Sequence, residues 1–175
     1  MQKYAQKPPS KICSVSRALD YGKDAMPLTN YSKEQIAKWM LHRGHSFLVS
    51  AILIKRAGGS HDVELYNICQ GAEVVLKSFL LFNNYDKYQP LLPKTKHFGH
   101  DLVKLSQAVI KDYGVKPLST EETQELERLN KYYTNHYLRY AGAHDIFFPA
   151  TDIEYGLTAR KLLASIKLIT RKLNL

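Results

Sequence analysis

Apolar residues recur at helical spacing along most of the chain, and no stretch alternates strictly enough to predict a sheet. The clearest periodicity opens near Asp62. One face of that helix would carry Leu65, Ile68, Cys69, Ala72, Val75, Leu76, Phe79 and Leu80. We expect this helix to be the central and most buried one. A loop over residues 83–100 is expected to follow it, because that stretch contains two prolines and has no period.

Capping signals predict where two other helices begin. The stretch Ser-Lys-Glu-Gln at Ser32–Gln35 resembles a capping box and opens an apolar stripe that Gly58-Gly59 stops. A second capping box at Ser119–Glu122 opens a helix on which Tyr133 and Tyr137 are expected core residues. Gly142 and Pro149 would mark the end of that helix.

Two further helices complete the pattern. A shorter one runs over residues 102–113 and ends at Gly114, and a last one starts at about Thr151 and continues to Leu173. The sequence therefore predicts an all-α protein, an up-and-down antiparallel bundle of four to five helices over residues 31–175. Residues 1–30 carry Pro8, Pro9 and Pro27 without sustained periodicity, which predicts an irregular N-terminal arm.

The composition and net charge indicate what kind of protein this is and what kind of partner it should bind. The 175 residues are 45% hydrophobic and 23% charged, as expected for one soluble globular domain. Lys and Arg number 25 against 16 Asp and Glu, a net charge of +9 that should attract polyanions. No signal sequence or membrane-spanning run is found, so we expect a cytoplasmic protein with no membrane partner. Cys13 and Cys69 lie too far apart for a zinc or disulfide motif, and Cys69 is an expected core residue.

Three stretches carry a resemblance to a known family. They are QGAEVVLKSFLL from Gln70 to Leu81, HDLVKL from His100 to Leu105, and RYAGAHD from Arg139 to Asp145. In this order they resemble the HEPN family, the higher-eukaryote and prokaryote nucleotide-binding domains. The resemblance implies a helical bundle and a homodimer. It also implies a family of RNA-cleaving toxins, defence proteins, nucleotide-binding domains and nucleotidyltransferase partners.

Arg139 and His144 are the candidate catalytic residues, because they match the family's arginine followed after four to six residues by histidine. Cleaving RNA without a metal needs a base for the 2′-hydroxyl, which imidazole supplies near neutral pH. It also needs fixed positive charge beside the phosphate, which a guanidinium supplies. Arg56 and His61 have the same spacing, so it is the position of Arg139 before the last helix that favours it.

Other residues are candidates for binding RNA or nucleotide. Tyr140, His100, Lys94, Lys96 and Lys77 form this set, since basic side chains interleaved with aromatic rings suit phosphate contact and base stacking. The pair of histidines in HFGHD lacks supporting ligands, so we expect no metal, and the chain predicts no cofactor. Glu73 and Lys77 have the spacing of an ordinary helical ion pair unless they face the bundle interior.

Three functions remain open at the level of sequence. An endoribonuclease would bring Arg139 and His144 together in an exposed cleft. A nucleotide-binding module would have a pocket with a basic side chain and an aromatic wall. An interaction protein, such as an antitoxin partner, would use Arg139 for helix capping and expose an apolar dimer surface. The family's ribonucleases often have Asn directly after the arginine, where this chain has Tyr140.

Overall fold

The computed structural model describes residues 28–115, 118–138 and 156–173, with only the backbone of 156–160, 162 and 163. These residues form five helices and contain no strand. The helices are α1 (Asn30–Arg56), α2 (His61–Tyr88), α3 (Leu102–Tyr113), α4 (Thr120–Thr134) and α5 (Gly156–Lys172). The expected all-α class is confirmed. Residues 1–27 of the predicted arm and residues 174–175 at the end of the predicted bundle lie outside the described residues.

Helix α1 begins earlier than its sequence pattern suggested. Thr29 is the N-cap, and its hydroxyl accepts a hydrogen bond from the Ser32 amide at 3.1 Å. The interpretation of Ser32 as the cap was wrong, because Thr29 meets the same requirement one turn earlier and is followed by residues that can be helical. The helix ends as expected before Gly58, whose φ of 67° is favourable only for glycine.

Helix α2 is central, as predicted, and contacts each of the other four helices. Its most extensive pairing is with α1, where Gly44 and Gly71 lie at the crossing. A Cβ on Gly44 would lie 3.1 Å from the Gly71 carbonyl oxygen and 3.0 Å from the Val75 amide nitrogen. Two glycines are therefore what allows the two backbones to approach this closely.

The predicted loop after α2 begins later than expected. The helix continues through a kink at Asn84, where φ is −158° and ψ is 95°. The Asn84 side chain accepts a hydrogen bond from the Lys87 amide at 3.0 Å, so it caps a new helical turn directly after the break. Tyr88 is then buried in the core. The sequence shows no helical period here because the last turn of α2 is held by the Asn84 cap and by burial of Tyr88, and not by an apolar stripe.

Helices α3 and α4 have the ends that capping chemistry requires. Asp101 caps α3, and Gly114 closes it with a φ of 62°. Ser119 and Glu122 form the predicted capping box of α4. This helix ends at Thr134, however, before the residues expected to end it. Tyr137 consequently lies beyond the helix and is 38% exposed, so its interpretation as a core residue was wrong.

The buried apolar residues form two clusters. The larger joins α1, α2, α3 and α5 around Phe79, Leu80 and Leu105. The smaller joins α2, α3 and α4 and includes Cys69, which is fully buried as expected, and Tyr133. The second cluster supports the polar site described below. Among the described helices, none is both long enough and apolar enough to cross a lipid bilayer.

Candidate functional site

A buried carboxylate lies at the centre of a polar cluster that joins α2, α4 and the start of α3. Glu73, on α2, is only 3% exposed. Its Oε1 accepts a hydrogen bond from Lys77 Nζ at 2.7 Å, and its Oε2 accepts one from the Tyr133 hydroxyl. His100 Nδ1 lies 3.0 Å from Oε2 and 3.2 Å from Oε1. We call these four residues the Glu73 cluster.

Three elements bring the Glu73 cluster together. Glu73 and Lys77 are one turn apart on α2 and face inward, which is the condition under which their pair is more than an ordinary surface ion pair. His100 directly precedes the N-cap of α3. That cap is fixed to α4, because Asn130 donates to Asp101 Oδ1 at 3.1 Å and accepts from the Leu102 amide at 2.8 Å. The position of His100 is thus set by both neighbouring helices.

The ionisation states follow from these contacts. Burial acts to raise the pKa of Glu73, but the hydrogen bonds from Lys77, Tyr133 and His100 outweigh it and lower that pKa. Burial and the adjacent negative charge of Glu73 raise the pKa of the Tyr133 hydroxyl far above its ordinary value. At neutral pH, Glu73 is therefore an ionised acceptor, and Tyr133 is a neutral donor to it.

The carboxylate fixes which nitrogen of His100 carries a hydrogen. An ionised carboxylate can only accept, so Nδ1 must be the donor. Nε2 of a neutral His100 is then left as the proton acceptor. Because the His100 side chain is 48% exposed, the imidazole is accessible to a ligand while its orientation is held from inside. A buried carboxylate that orients an exposed imidazole is an arrangement used in general acid–base catalysis.

A second histidine, His136, lies beside this imidazole. The rings of His100 and His136 are 6.1 Å apart between centroids, at an interplanar angle of 73°. His136 follows α4 and is exposed. Its φ of 62° makes it the single non-glycine residue with a positive φ in the described part of the chain. Sequence reasoning missed His136, because the predicted fourth helix continued to Gly142 and gave this histidine no distinguishing position.

The predicted site residues fall into three groups. His100 and Lys77 are brought together by Glu73. Lys94 and Lys96 are exposed in the turns that lead from α2 to His100. Arg139, Tyr140 and His144 lie outside the described residues. The described chain before them ends at Leu138, which is buried in the same apolar cluster as Tyr133.

The other arginine and histidine pair with the family's spacing has a different setting. His61 Nδ1 lies 3.1 Å from Oε2 of the buried Glu64, and Lys55 Nζ lies 3.4 Å from Oε1. These residues join the end of α1 to the start of α2. Arg56 is exposed in the last turn of α1. Here a histidine and a carboxylate stabilise a helix–helix turn, which shows how little the spacing alone indicates.

Within residues 28–115, 118–138 and 156–173, no three His, Cys, Asp or Glu side chains are grouped so that they could hold a metal ion. Comparison of the chain with family models, with curated proteins and with solved structures finds no significant match.

Proposed function

We propose that this chain is a HEPN-like protein that binds RNA or nucleotide and cleaves RNA without a metal, as a toxin or defence endoribonuclease. In this proposal Arg139 stabilises the charge that develops on the scissile phosphate, and His144 transfers a proton. Tyr140 contributes a stacking surface beside them.

The observation that carries the proposal is the exposed, carboxylate-oriented imidazole of His100. An imidazole held in one tautomer at the surface is suited to proton transfer or to hydrogen bonding with a phosphate. The smaller apolar cluster that supports it also holds Leu138, the residue directly before Arg139. The described chain therefore reaches the residue before the arginine and histidine motif within the apolar cluster that supports His100.

Charge supports an RNA ligand. The net charge of +9 favours binding of a polyanion, and Lys94 and Lys96 are exposed in the segment that ends at His100. Lys77 is mostly buried and is paired with Glu73, so its contribution to the site is to keep that carboxylate ionised as well as to add positive charge.

The test is cleavage of a mixed RNA pool in the presence of EDTA. Purified wild-type protein is compared with His144→Ala, and His61→Ala serves as the matched control because His61 belongs to the other pair of the same spacing. We expect wild type and His61→Ala to cut and His144→Ala to lose at least about 100-fold in rate. Absence of cleavage by the wild type, or equal cleavage by all three, contradicts the catalytic proposal.

The alternative is a non-catalytic nucleotide-binding module, and a cavity favours it. A cavity of about 420 Å³ lies at the α2 kink, between the start of α1 and the end of α5. Its lining includes an aromatic wall of Phe82 and Tyr85 and a basic side chain, Lys33, whose Nζ pairs with Asp86 Oδ2 at 2.7 Å. Equilibrium dialysis of ATP against wild type and Lys33→Ala tests this candidate. Binding that depends on Lys33, with no RNA cleavage, would favour the module over the nuclease.

An apolar surface on α1 supports the self-association part of the proposal, a homodimer. Exposed apolar residues share the outer side of this helix: Trp39, Val49, Ile52 and Leu53. Trp39 is the only tryptophan and is 70% exposed, so its fluorescence reports directly on this surface. We expect light scattering to give a dimer and Val49→Asp to give a monomer with red-shifted emission. If the wild-type protein is already monomeric, we assign this surface of α1 to a nucleotidyltransferase or antitoxin partner instead.

A further inference from the structure

The turn after α4 ends the helix in a way that normally calls for glycine. The His136 amide donates to the Tyr133 carbonyl at 3.1 Å, and the Tyr137 amide donates to the Tyr132 carbonyl at 3.1 Å. These two bonds, with a left-handed residue at His136, define a Schellman motif. Glycine is favoured at that position because it has no Cβ, and histidine is a strained choice. Residues held in this conformation are often found at functional sites.

His136, the residue in the left-handed conformation, places its imidazole beside that of His100, which Glu73 orients. His100 and His136 come from different elements, the start of α3 and the end of α4. Their ring centroids are 6.1 Å apart and both residues are exposed. Neither ring is needed to fill the core. Two accessible imidazoles at this separation can contact two atoms of the same small group from different sides.

We propose that His100 and His136 form an acid–base pair that acts on a ribose phosphodiester, with His100 as the base and His136 as the acid. This inference rests on the proposed RNA-cleaving function and reassigns its two proton transfers. His100 and His136 carry them out, and His144 is left to stabilise the charge on the phosphate together with Arg139. His100 is assigned as the base because Nδ1 donates to Glu73, which leaves Nε2 as acceptor. Glu73 then stabilises the imidazolium that forms.

The reaction is a transesterification whose atoms balance without a co-reactant. His100 Nε2 takes the proton of the 2′-hydroxyl, and the 2′-oxygen forms a bond to phosphorus. The bond from phosphorus to the 5′-oxygen breaks, and the protonated His136 gives its proton to that leaving oxygen. The products are a 2′,3′-cyclic phosphate and a 5′-hydroxyl. No atom is oxidised or reduced, and both histidines recover their starting protonation by exchange with water.

The first test uses variants that should fold. His136→Gly places the favoured residue in the Schellman motif, so its denaturation midpoint should equal or exceed that of the wild type. Its rate of cleavage of an RNA dinucleotide in EDTA should nevertheless fall by about 100-fold or more, and His100→Ala should fall similarly. His97→Ala, an exposed histidine three residues from His100, is the control that should retain full activity.

The second test identifies the acid. A substrate with sulfur in place of the bridging 5′-oxygen has a leaving group that departs without protonation. We expect this substrate to restore His136→Gly to within a few-fold of wild type, while His100→Ala stays slow.

The outcomes separate this inference from the function it rests on. If His136→Gly cuts the oxygen substrate like the wild type while His144→Ala does not, the acid–base pair is wrong and the proposed function stands. Failure of the sulfur substrate to restore His136→Gly also overturns the assignment of the acid. If the wild-type protein cuts no RNA, both the pair and the proposed function fail.

Discussion

The Tyr133 hydroxyl donates a hydrogen bond to Glu73 Oε2 inside the bundle, although the two residues are 60 positions apart in the chain. The bond joins α4 to α2, and both residues are buried, Tyr133 within the smaller apolar cluster. A buried carboxylate is costly unless its oxygens are satisfied. The bond therefore contributes to stability and also keeps Glu73 available to orient His100.

Removal of that hydroxyl should destabilise the fold. Tyr133→Phe keeps the ring but takes one hydrogen bond from a buried charge, which costs roughly 1.5–3 kcal/mol. Urea denaturation followed by circular dichroism measures the difference. Tyr31→Phe is the control, because Tyr31 is largely exposed and its variant should differ from wild type by no more than about 0.5 kcal/mol. Equal stability of the two variants would show that the Glu73 bond carries no net stabilisation.

The lowered pKa of Glu73 predicts how stability depends on acid. A carboxyl whose folded pKa lies below its unfolded value of about 4.3 stabilises the fold fully above that value. This contribution is lost as the pH falls through the folded pKa. Glu73→Gln should be less stable than wild type at pH 7, by about 3 kcal/mol, because Lys77 loses its partner.

The measurement for this prediction is the free energy of unfolding of wild type and Glu73→Gln between pH 7 and pH 2.5. The gap between the two proteins should be constant down to about pH 5 and should then narrow as the pH falls. Other carboxyl groups titrate in both proteins and largely cancel in the difference. A gap that stays constant to pH 2.5 would mean that the folded protein does not lower the pKa of Glu73.

Local chemistry explains what the sequence predicted well. Gly114 ends α3 and Ser119 with Glu122 opens α4, and in each case the determining residues lie within one turn of one another. The apolar stripe of α2 also identified the central helix, since a face of eight apolar residues must be buried by several neighbours. Periodicity and caps are sufficient for such features.

Features that depend on distant or competing residues were not predictable in this way. The α2 kink needs Asn84 to be a cap within a helix, which no local pattern distinguishes from a loop residue. Only part of the Glu73 cluster could be predicted from the sequence. The i,i+4 pair with Lys77 is local, but Tyr133 comes from α4. His136 lies at a position in its turn where glycine is expected, and only its positive φ, a property of the backbone, reveals this.

Ser106 offers a prediction of increased stability. Its hydroxyl is buried and has no hydrogen-bond partner in the described part of the chain. It faces a small, mostly apolar cavity between α3 and α5. A buried polar group without a partner costs about 1–3 kcal/mol, and alanine is also the better helix former, so Ser106→Ala should raise the free energy of unfolding.

The control for this prediction is Ser78→Ala. Ser78 is equally buried, but its hydroxyl donates to the Val75 carbonyl at 2.7 Å. The same substitution therefore removes a hydrogen bond at Ser78 and an unsatisfied hydroxyl at Ser106. We expect Ser106→Ala to be the more stable variant by about 1 kcal/mol in thermal or urea denaturation. The reverse order would indicate that a bound water satisfies Ser106.

The close crossing of α1 and α2 predicts that Gly44→Ala is destabilising even though alanine favours helices. The new Cβ would approach the Val75 amide nitrogen and the Gly71 carbonyl oxygen, which are backbone atoms and cannot rotate away. The helices would have to separate, at a cost of about 1–3 kcal/mol that exceeds the gain in helix propensity. Ser46→Ala, an exposed position on the same helix, should be neutral or slightly stabilising. Urea denaturation of both variants decides the matter, because a stabilised Gly44→Ala would mean that α1 and α2 do not approach as closely as their backbones indicate.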